Sequence, residues 1–225
     1  MFESVTPLKR ETLQSRVHEQ LCDLILQGDL APGQTVTVAT IAKALDVSPM
    51  PVREAISRLM ALGALRVLSG RSIGVPRLGL ADLTDLRRVR LEVETTAVRW
   101  AVAAADDGFL KRLEALLVAM EEAESAGLAK EFIHANYRFH FAIYGQAGSP
   151  MLLEIISTLW LRINPQFHLL QRSGHYRVSN LQHRQMFDAI SARDPEAASI
   201  ALKCDIDGAY DVMKTSVGEE GGSTS

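Results

Sequence analysis

The stretch that most constrains this chain is TVATIAKALDVSPMPVREAISRLMALG, residues 37–63, because it sets two helical patterns almost end to end. Thr37 can cap a first helix whose apolar face is Val38, Ile41 and Leu45. Ser48, followed by Pro49, starts a second whose apolar face is Val52, Ile56 and Leu59. Only Asp46 and Val47 separate the two, so the helices must cross sharply. Upstream, Leu13, Val17, Leu21 and Ile25 recur every fourth residue and predict a helix from about Leu8 to Leu26. GDLAPG then stops it, since Gly tolerates positive φ and Pro cannot donate to a continuing helix. After Gly63 the period changes: two runs rich in Val, Leu and Ile flank Ser69-Gly70-Arg71-Ser72 and predict a hairpin. Helix, helix, tight turn, helix, hairpin is the order of a winged helix-turn-helix, here over residues 1–77.

The remainder reads as six helices. They run from Asp82 to about Ala105, Phe109 to about Ser125, Leu128 to Gly145, Ser149-Pro150 to about Leu170 despite Pro165, Val178 to Ala192, and Asp194-Pro195 to about Lys214. Short links make them an antiparallel bundle over residues 78–215. The Gly- and Ser-rich end SVGEEGGSTS, residues 216–225, is expected to be a disordered tail. The fold class is therefore mainly α: an N-terminal winged helix-turn-helix followed by an antiparallel six-helix bundle. No apolar run approaches the roughly 20 residues of a membrane span, and MFESVTPLKR lacks the apolar core of an export signal, so a cytoplasmic protein without membrane contact is expected. Cys22 and Cys204, far apart and without CxxC spacing, read as reduced thiols.

Charge separates the halves. Residues 1–77 carry nine Lys/Arg against seven Asp/Glu, whereas residues 78–225 carry fifteen against twenty, so any phosphate-contacting surface belongs to the first part. A helix that enters a major groove must be anchored on its trailing face and thin on its leading one. With Val52, Ile56 and Leu59 inward, Met50, Arg53, Glu54 and Ser57 point outward. Arg53 is best placed for a bidentate contact to guanine O6 and N7, worth about 1 to 3 kcal/mol of base discrimination; the alternative is an exposed Arg paired with a neighbouring acid. Ser48 is expected both to cap the helix and to approach a phosphate. At the hairpin tip, Gly70 and Arg71 can reach a minor groove or a phosphate, though a basic tip also serves solubility.

SPMPVREAISRLMALGAL followed by GRSIGV resembles the winged-helix domain of GntR-family bacterial transcriptional regulators. The helical remainder resembles the FadR-type (FCD) ligand-binding domain, and together the likeness spans about Leu8 to Lys214. It implies a homodimer on a palindromic double-stranded DNA operator, with binding modulated by a small effector. Many members carry an operator-contacting Arg just after the serine; here that place is Pro49, which leaves Arg53 and the wing a larger share.

In the bundle, NYRFH places Asn136 and His140 four apart, on one helix face. Alone, a His among Phe139, Phe141 and Ile143 reads as a satisfied core histidine. His183, however, lies eleven residues before Asp194 and Asp205 eleven after it, and Asp194-Pro195 is where the fifth helix turns into the sixth. Positions equidistant from the turn of an antiparallel pair lie side by side. Asn136, His140, His183 and Asp205 can thus converge, and a divalent metal suits a carboxylate that would otherwise be buried uncompensated; the alternative is Asp205 hydrogen-bonded to His183 with no ion. The family resemblance implies the same set, as an Asp or Asn and a His four apart and then two histidines. Asp205 stands where the last His is usual, which leaves Zn²⁺, Ni²⁺, Mn²⁺ and Fe²⁺ all open. Four protein donors leave an octahedral ion two positions for a carboxylate effector. Arg90, in VRLEVE, matches the family's Arg that points into this cavity, and Glu94 one turn on can orient it unless the two form only a surface pair. His134, His168 and His175 have no partner spacing and are expected to be structural. Two other classes use the same residues: a sensor whose signal is the metal itself, and a metal-dependent bundle enzyme. The enzyme lacks an obvious general base and any GxSxG motif.

Overall fold

The computed structural model describes residues 13–69, 72–170 and 175–222. The predicted start of the first helix at Leu8, the hairpin tip Gly70-Arg71 and residues 223–225 of the tail lie outside them.

The N-terminal part comprises α1 (Leu13–Leu26), β1 (Thr35–Val36), α2 (Val38–Ala44), α3 (Pro49–Ala61), β2 (Arg66–Ser69) and β3 (Ser72–Gly74). Val17, Leu21 and Ile25 of α1 are buried, as are Val52, Ile56 and Leu59 of α3, so the four-residue periodicities become the facing surfaces of one small core. Thr37 caps α2, its hydroxyl accepting from the Thr40 N–H at 3.0 Å. The hairpin is joined by a third strand that the sequence did not announce: β1 pairs with β3 through Thr35↔Gly74 and Val36↔Ile73, giving the order β1-β3-β2. Gly74 makes that pairing possible, because a Cβ there would collide with the Gln34 carbonyl.

The bundle follows as α4 (Leu80–Ala104), α5 (Asp107–Ser125), α6 (Ala129–Gln146), α7 (Pro150–Ile163), a 3-10 helix (Asn164–Leu170), α8 (His175–Ser191) and α9 (Pro195–Gly222). Two expectations need correction. The fourth bundle helix does not run to Leu170 as α-helix, since Pro165 lacks the N–H that would bond to the Leu161 carbonyl and the chain tightens into a 3-10 helix. Residues 216–222 continue α9 rather than forming a disordered tail: extending an existing helix needs no new nucleus, and Val217 packs half-buried against the core. Phe139, Trp160, Leu113, Leu117, Met186 and Leu202 fill the interior, each fully buried. Among the described residues no helix is long and apolar enough to cross a membrane, and Cys22 and Cys204 are both free thiols.

The domains meet at the turn after α1. Asn164 Nδ2 donates to the Leu26 carbonyl at 2.6 Å, His168 Nε2 lies 2.6 Å from the Gly28 carbonyl oxygen, and Asp29 pairs with Lys130 Nζ of α6 at 2.6 Å. Gly28 takes φ +73, and a Cβ there would lie 2.5 Å from Ile133 Cγ2. His134, with Nε2 3.4 Å from Asp29, and His168 thus have a structural role that spacing alone did not specify: they hold the junction.

Candidate functional site

Asp46 takes φ 50, and that left-handed turn swings α3 across α2. Because α3 buries Pro51, Val52, Ala55, Ile56 and Leu59, its opposite face leaves Met50, Arg53, Glu54 and Ser57 exposed, Met50 by 62%. Lys43, Arg58 and Arg66 are exposed as well, which concentrates positive charge on this domain. Ser48 occupies the N-cap with extended backbone, but its side chain makes no capping hydrogen bond. The reason is local: Pro51 stands at the third helical position, where a cap hydroxyl would otherwise find an N–H. The expected double role of Ser48 reduces to an exposed hydroxyl at the tip of α3. Gly70 and Arg71 lie outside the described residues.

The second constellation is buried. Arg193, at φ 60, reverses the chain between α8 and α9, and Asp194 Oδ1 accepts the Glu196 and Ala197 N–H groups at 3.1 and 2.9 Å. The antiparallel pair that results sets His183 Nε2 3.5 Å from Asp205 Oδ1. His140 reaches in from α6, its Nε2 lying 3.2 Å from His183 Nε2 and 3.4 Å from Asp205 Oδ2. All three side chains are buried, so two imidazoles and a carboxylate point at one water-excluded spot. Asn136, one turn before His140 and 6% exposed, lines a cavity of about 10 Å³ together with Phe132, Tyr176, Ser179 and Asp205. That is room for about one water molecule.

Two further neighbours border the cluster, and one of them, Ser179, went unnoticed in the sequence. Ser179 donates to Asp205 Oδ1 at 2.5 Å; it stands one turn before His183, the same four-residue spacing that singled out Asn136 and His140. His175, expected to be structural for want of partner spacing, is 6% exposed at the start of α8; burial pushes its imidazole below the usual range, and Asp205 and His183 are close enough to act on its charge. Burial pushes the Asp205 carboxyl up, but the facing His183 and His140 outweigh this and hold it well below the usual carboxylate range. Burial pushes His140 down, against the pull of Asp205. The cluster therefore presents an ionised carboxylate to a His140 imidazole that resists protonation, which suits a divalent cation. His183 Nδ1 is buried with no hydrogen-bond partner.

Arg90 and Glu94 form a buried pair rather than a surface one, 3% and 0% exposed. Arg90 Nε and Nη2 donate to Glu94 Oε1 and Oε2 at 2.6 and 3.2 Å, and Glu94 accepts further bonds from Trp160 Nε1 at 3.1 Å and Tyr144 OH at 2.5 Å. Burial works against the Arg90 charge, but Glu94 outweighs it. The guanidinium fork expected to face an open cavity is thus turned onto Glu94, because an acceptor one helical turn away satisfies it bidentately.

Comparison with known proteins bears on what these two sites belong to. Residues 13–75 match the bacterial regulatory proteins of the gntR family, and residues 85–208, more than half of the chain, match the FCD domain. The chain is a GntR-family transcriptional regulator of the FadR type. Among relatives of this regulator, the HTH-type transcriptional regulator McbR of Escherichia coli (strain K12) is 31% identical over 198 residues, covering 87% of this chain and 90% of McbR. The probable D-xylose utilization operon transcriptional repressor of Paenarthrobacter nicotinovorans is 30% identical, covering 87% and 86%. The solved structure of E. coli McbR/YncC superposes with a TM-score of 0.77 at 29% identity, covering 93% of this chain and 97% of that one. The family consists of DNA-binding regulators, so the GntR protein described here is a transcriptional regulator with a ligand-binding type of domain and not a helical-bundle enzyme.

Proposed function

We propose that this GntR regulator grips a palindromic operator as a homodimer and that a divalent ion, held by Asn136, His140, His183 and Asp205, forms the receptor for a small carboxylate effector. The observation that carries the reading is the meeting of His140 Nε2, His183 Nε2 and Asp205 within 3.2–3.5 Å in a buried place. An ionised, water-excluded carboxylate is costly without a counter-charge, and the donor set of two imidazoles, a carboxylate and an amide oxygen suits Zn²⁺, Ni²⁺, Mn²⁺ or Fe²⁺. Such an ion supplies a Lewis-acidic attachment point for a carboxylate. Asn136 and Ser179 line the adjoining cavity and are placed to orient it, while the Arg90–Glu94 pair connects to His140 through Tyr144. With room for about one water, the cavity must widen to admit an effector, and that widening displaces α6, the helix whose Lys130 and Ile133 hold the turn after α1.

On the DNA side, Arg53 and Ser57 read base edges, Met50 lies against the bases, and Ser48, Gly70 and Arg71 approach phosphates. One winged helix covers too few base pairs for useful specificity, which favours a dimer. Exposed apolar side chains that a second copy would cover are Val89 and Trp100 on α4, 40% and 48% exposed, and Met151 and Ile155 on α7, 78% and 48% exposed.

Fluorescence anisotropy with labelled operator tests the reading. The metal-stripped protein is titrated alone, with each metal, and with metal plus carboxylic acids. A shift that requires both metal and acid supports it. A shift with metal alone makes the ion the signal. No shift under any condition removes the effector role.

A further inference from the structure

The geometry points to Tyr144 as a positioning residue that fixes which nitrogen of His140 faces the metal. This rests on the metal reading above but makes a separate claim about the metal-free protein.

A neutral imidazole carries its proton on one nitrogen and a lone pair on the other, and only the lone pair can ligate. The cluster alone pulls both ways: Asp205 Oδ2, 3.4 Å from His140 Nε2, would accept a proton there, whereas His183 Nε2, at 3.2 Å, could donate to a bare nitrogen. The decision is made on the other side of the ring. His140 Nδ1 lies 3.1 Å from Tyr144 OH, and Tyr144 OH lies 2.5 Å from Glu94 Oε2. Glu94 is ion-paired to Arg90 and already accepts from Arg90 and from Trp160, so it is a carboxylate with acceptors only. The single phenolic proton of Tyr144 must therefore go to Glu94. A phenol carries only this one proton, and the hydrogen bond to Glu94 uses it. The Tyr144 oxygen then has only lone pairs to offer His140, and Nδ1 must be the N–H that donates to it.

With the proton fixed on Nδ1, His140 Nε2 is a bare lone pair aimed at the cluster, 3.2 Å from His183 Nε2 and 3.4 Å from Asp205 Oδ2. Two acceptors facing each other in a buried site are stabilised by a cation between them. The chain Arg90, Glu94, Tyr144, His140 thus acts as an ordered series of hydrogen bonds: the guanidinium and the phenol both donate to the Glu94 carboxylate, and the ring donates to the phenol oxygen. This gives Arg90 and Glu94 a role in the site without contact to metal or effector. His183 has no such partner, since its Nδ1 is buried and without a hydrogen bond, so the orientation of the two imidazoles is secured unequally. Outer partners of this kind commonly change metal affinity by about 10- to 100-fold.

The test is long-range ¹H–¹⁵N correlation NMR of the histidine rings in the metal-free protein, wild type against Tyr144→Phe, with Co²⁺ titration of both. The expected result is a pure Nδ1–H tautomer for His140 in wild type, a mixture of tautomers in Tyr144→Phe, and a Co²⁺ affinity at least tenfold weaker in the variant. An Nε2–H tautomer in wild type overturns the inference, and so does a Tyr144→Phe protein that keeps both tautomer and affinity. If Tyr144→Phe does not fold, the wild-type tautomer decides alone. If wild type binds no Co²⁺ yet shows Nδ1–H, the metal reading fails while the role of Tyr144 in setting the ring stands.

Discussion

Glu94→Ala is the substitution whose cost the structure defines most sharply. Glu94 is 0% exposed and accepts four hydrogen bonds, two from Arg90 and one each from Tyr144 and Trp160. Truncation leaves a guanidinium that is 3% exposed without its counter-charge. Removing one partner of a buried pair costs about 3–5 kcal/mol, because the other charge stays desolvated and uncompensated. For a chain of this size each kcal/mol moves Tm by about 2–4 °C, so Glu94→Ala should melt roughly 6–20 °C below wild type. Arg99 and Glu196, with side chains 45% and 73% exposed at 3.2 Å, give an internal control. Glu196→Ala should shift Tm by no more than a few degrees, since exposed pairs contribute about 0–1 kcal/mol. Because the penalty comes from the stranded charge, Arg90→Met combined with Glu94→Leu should recover part of the loss. Differential scanning calorimetry on the three variants decides the matter. A Glu94→Ala shift no larger than that of Glu196→Ala would refute the reasoning, and a double variant less stable than Glu94→Ala would refute its cause.

Other outcomes follow from the same geometry. Gly28→Ala introduces a Cβ 2.5 Å from Ile133 Cγ2 at φ +73, so it should cost about 1–3 kcal/mol in urea unfolding and loosen the domain junction; an unchanged midpoint would place Gly28 outside it. Arg53→Ala should weaken operator binding by about 5- to 150-fold while leaving non-specific DNA binding within a few-fold, as measured by anisotropy on matched and scrambled duplexes. Burial lowers His140 below 6.5, so its ligating nitrogen stays unprotonated through neutrality; metal affinity should be flat from pH 8 to 7 and fall only below about 6.5. Asp205 has a folded carboxyl below its unfolded value of 3.8, so the stability it contributes is present above that value and is lost as pH falls through the folded one. The stability gap between wild type and Asp205→Asn should accordingly close in acid.

What the sequence disclosed depended on whether a residue's partner lay at a readable distance. Val52, Ile56 and Leu59 fix the inner face of α3 by helical period, and so expose Arg53 and Ser57. His183 and Asp205 could be paired because the Asp194 turn makes α8 and α9 mirror each other, and the 3.5 Å separation follows from that symmetry. Where no period exists, nothing could be read: β1 is two residues long and becomes a strand only because β3 lies beside it. Composition misled at residues 216–222, since glycine content carries no information about a helix already nucleated and packed upstream. The Arg90–Glu94 spacing was visible, but its burial was not, because Tyr144 and Trp160 come from α6 and α7, 50 and 66 residues away from Glu94. Tyr144 does stand one turn after His140, so four-residue spacing applied to the next turn of α6 would have found it.

Metal content measured by inductively coupled plasma mass spectrometry on purified wild type, His140→Ala and His183→Ala, alongside circular dichroism, tests the central claim most directly. The site predicts about one divalent ion per protomer in wild type and essentially none in either variant, with helix content preserved in all three. Equal metal content in wild type and variants, or a metal-free wild type that takes up no Zn²⁺, Ni²⁺, Mn²⁺ or Fe²⁺ when dialysed against it, would contradict the assignment of these residues.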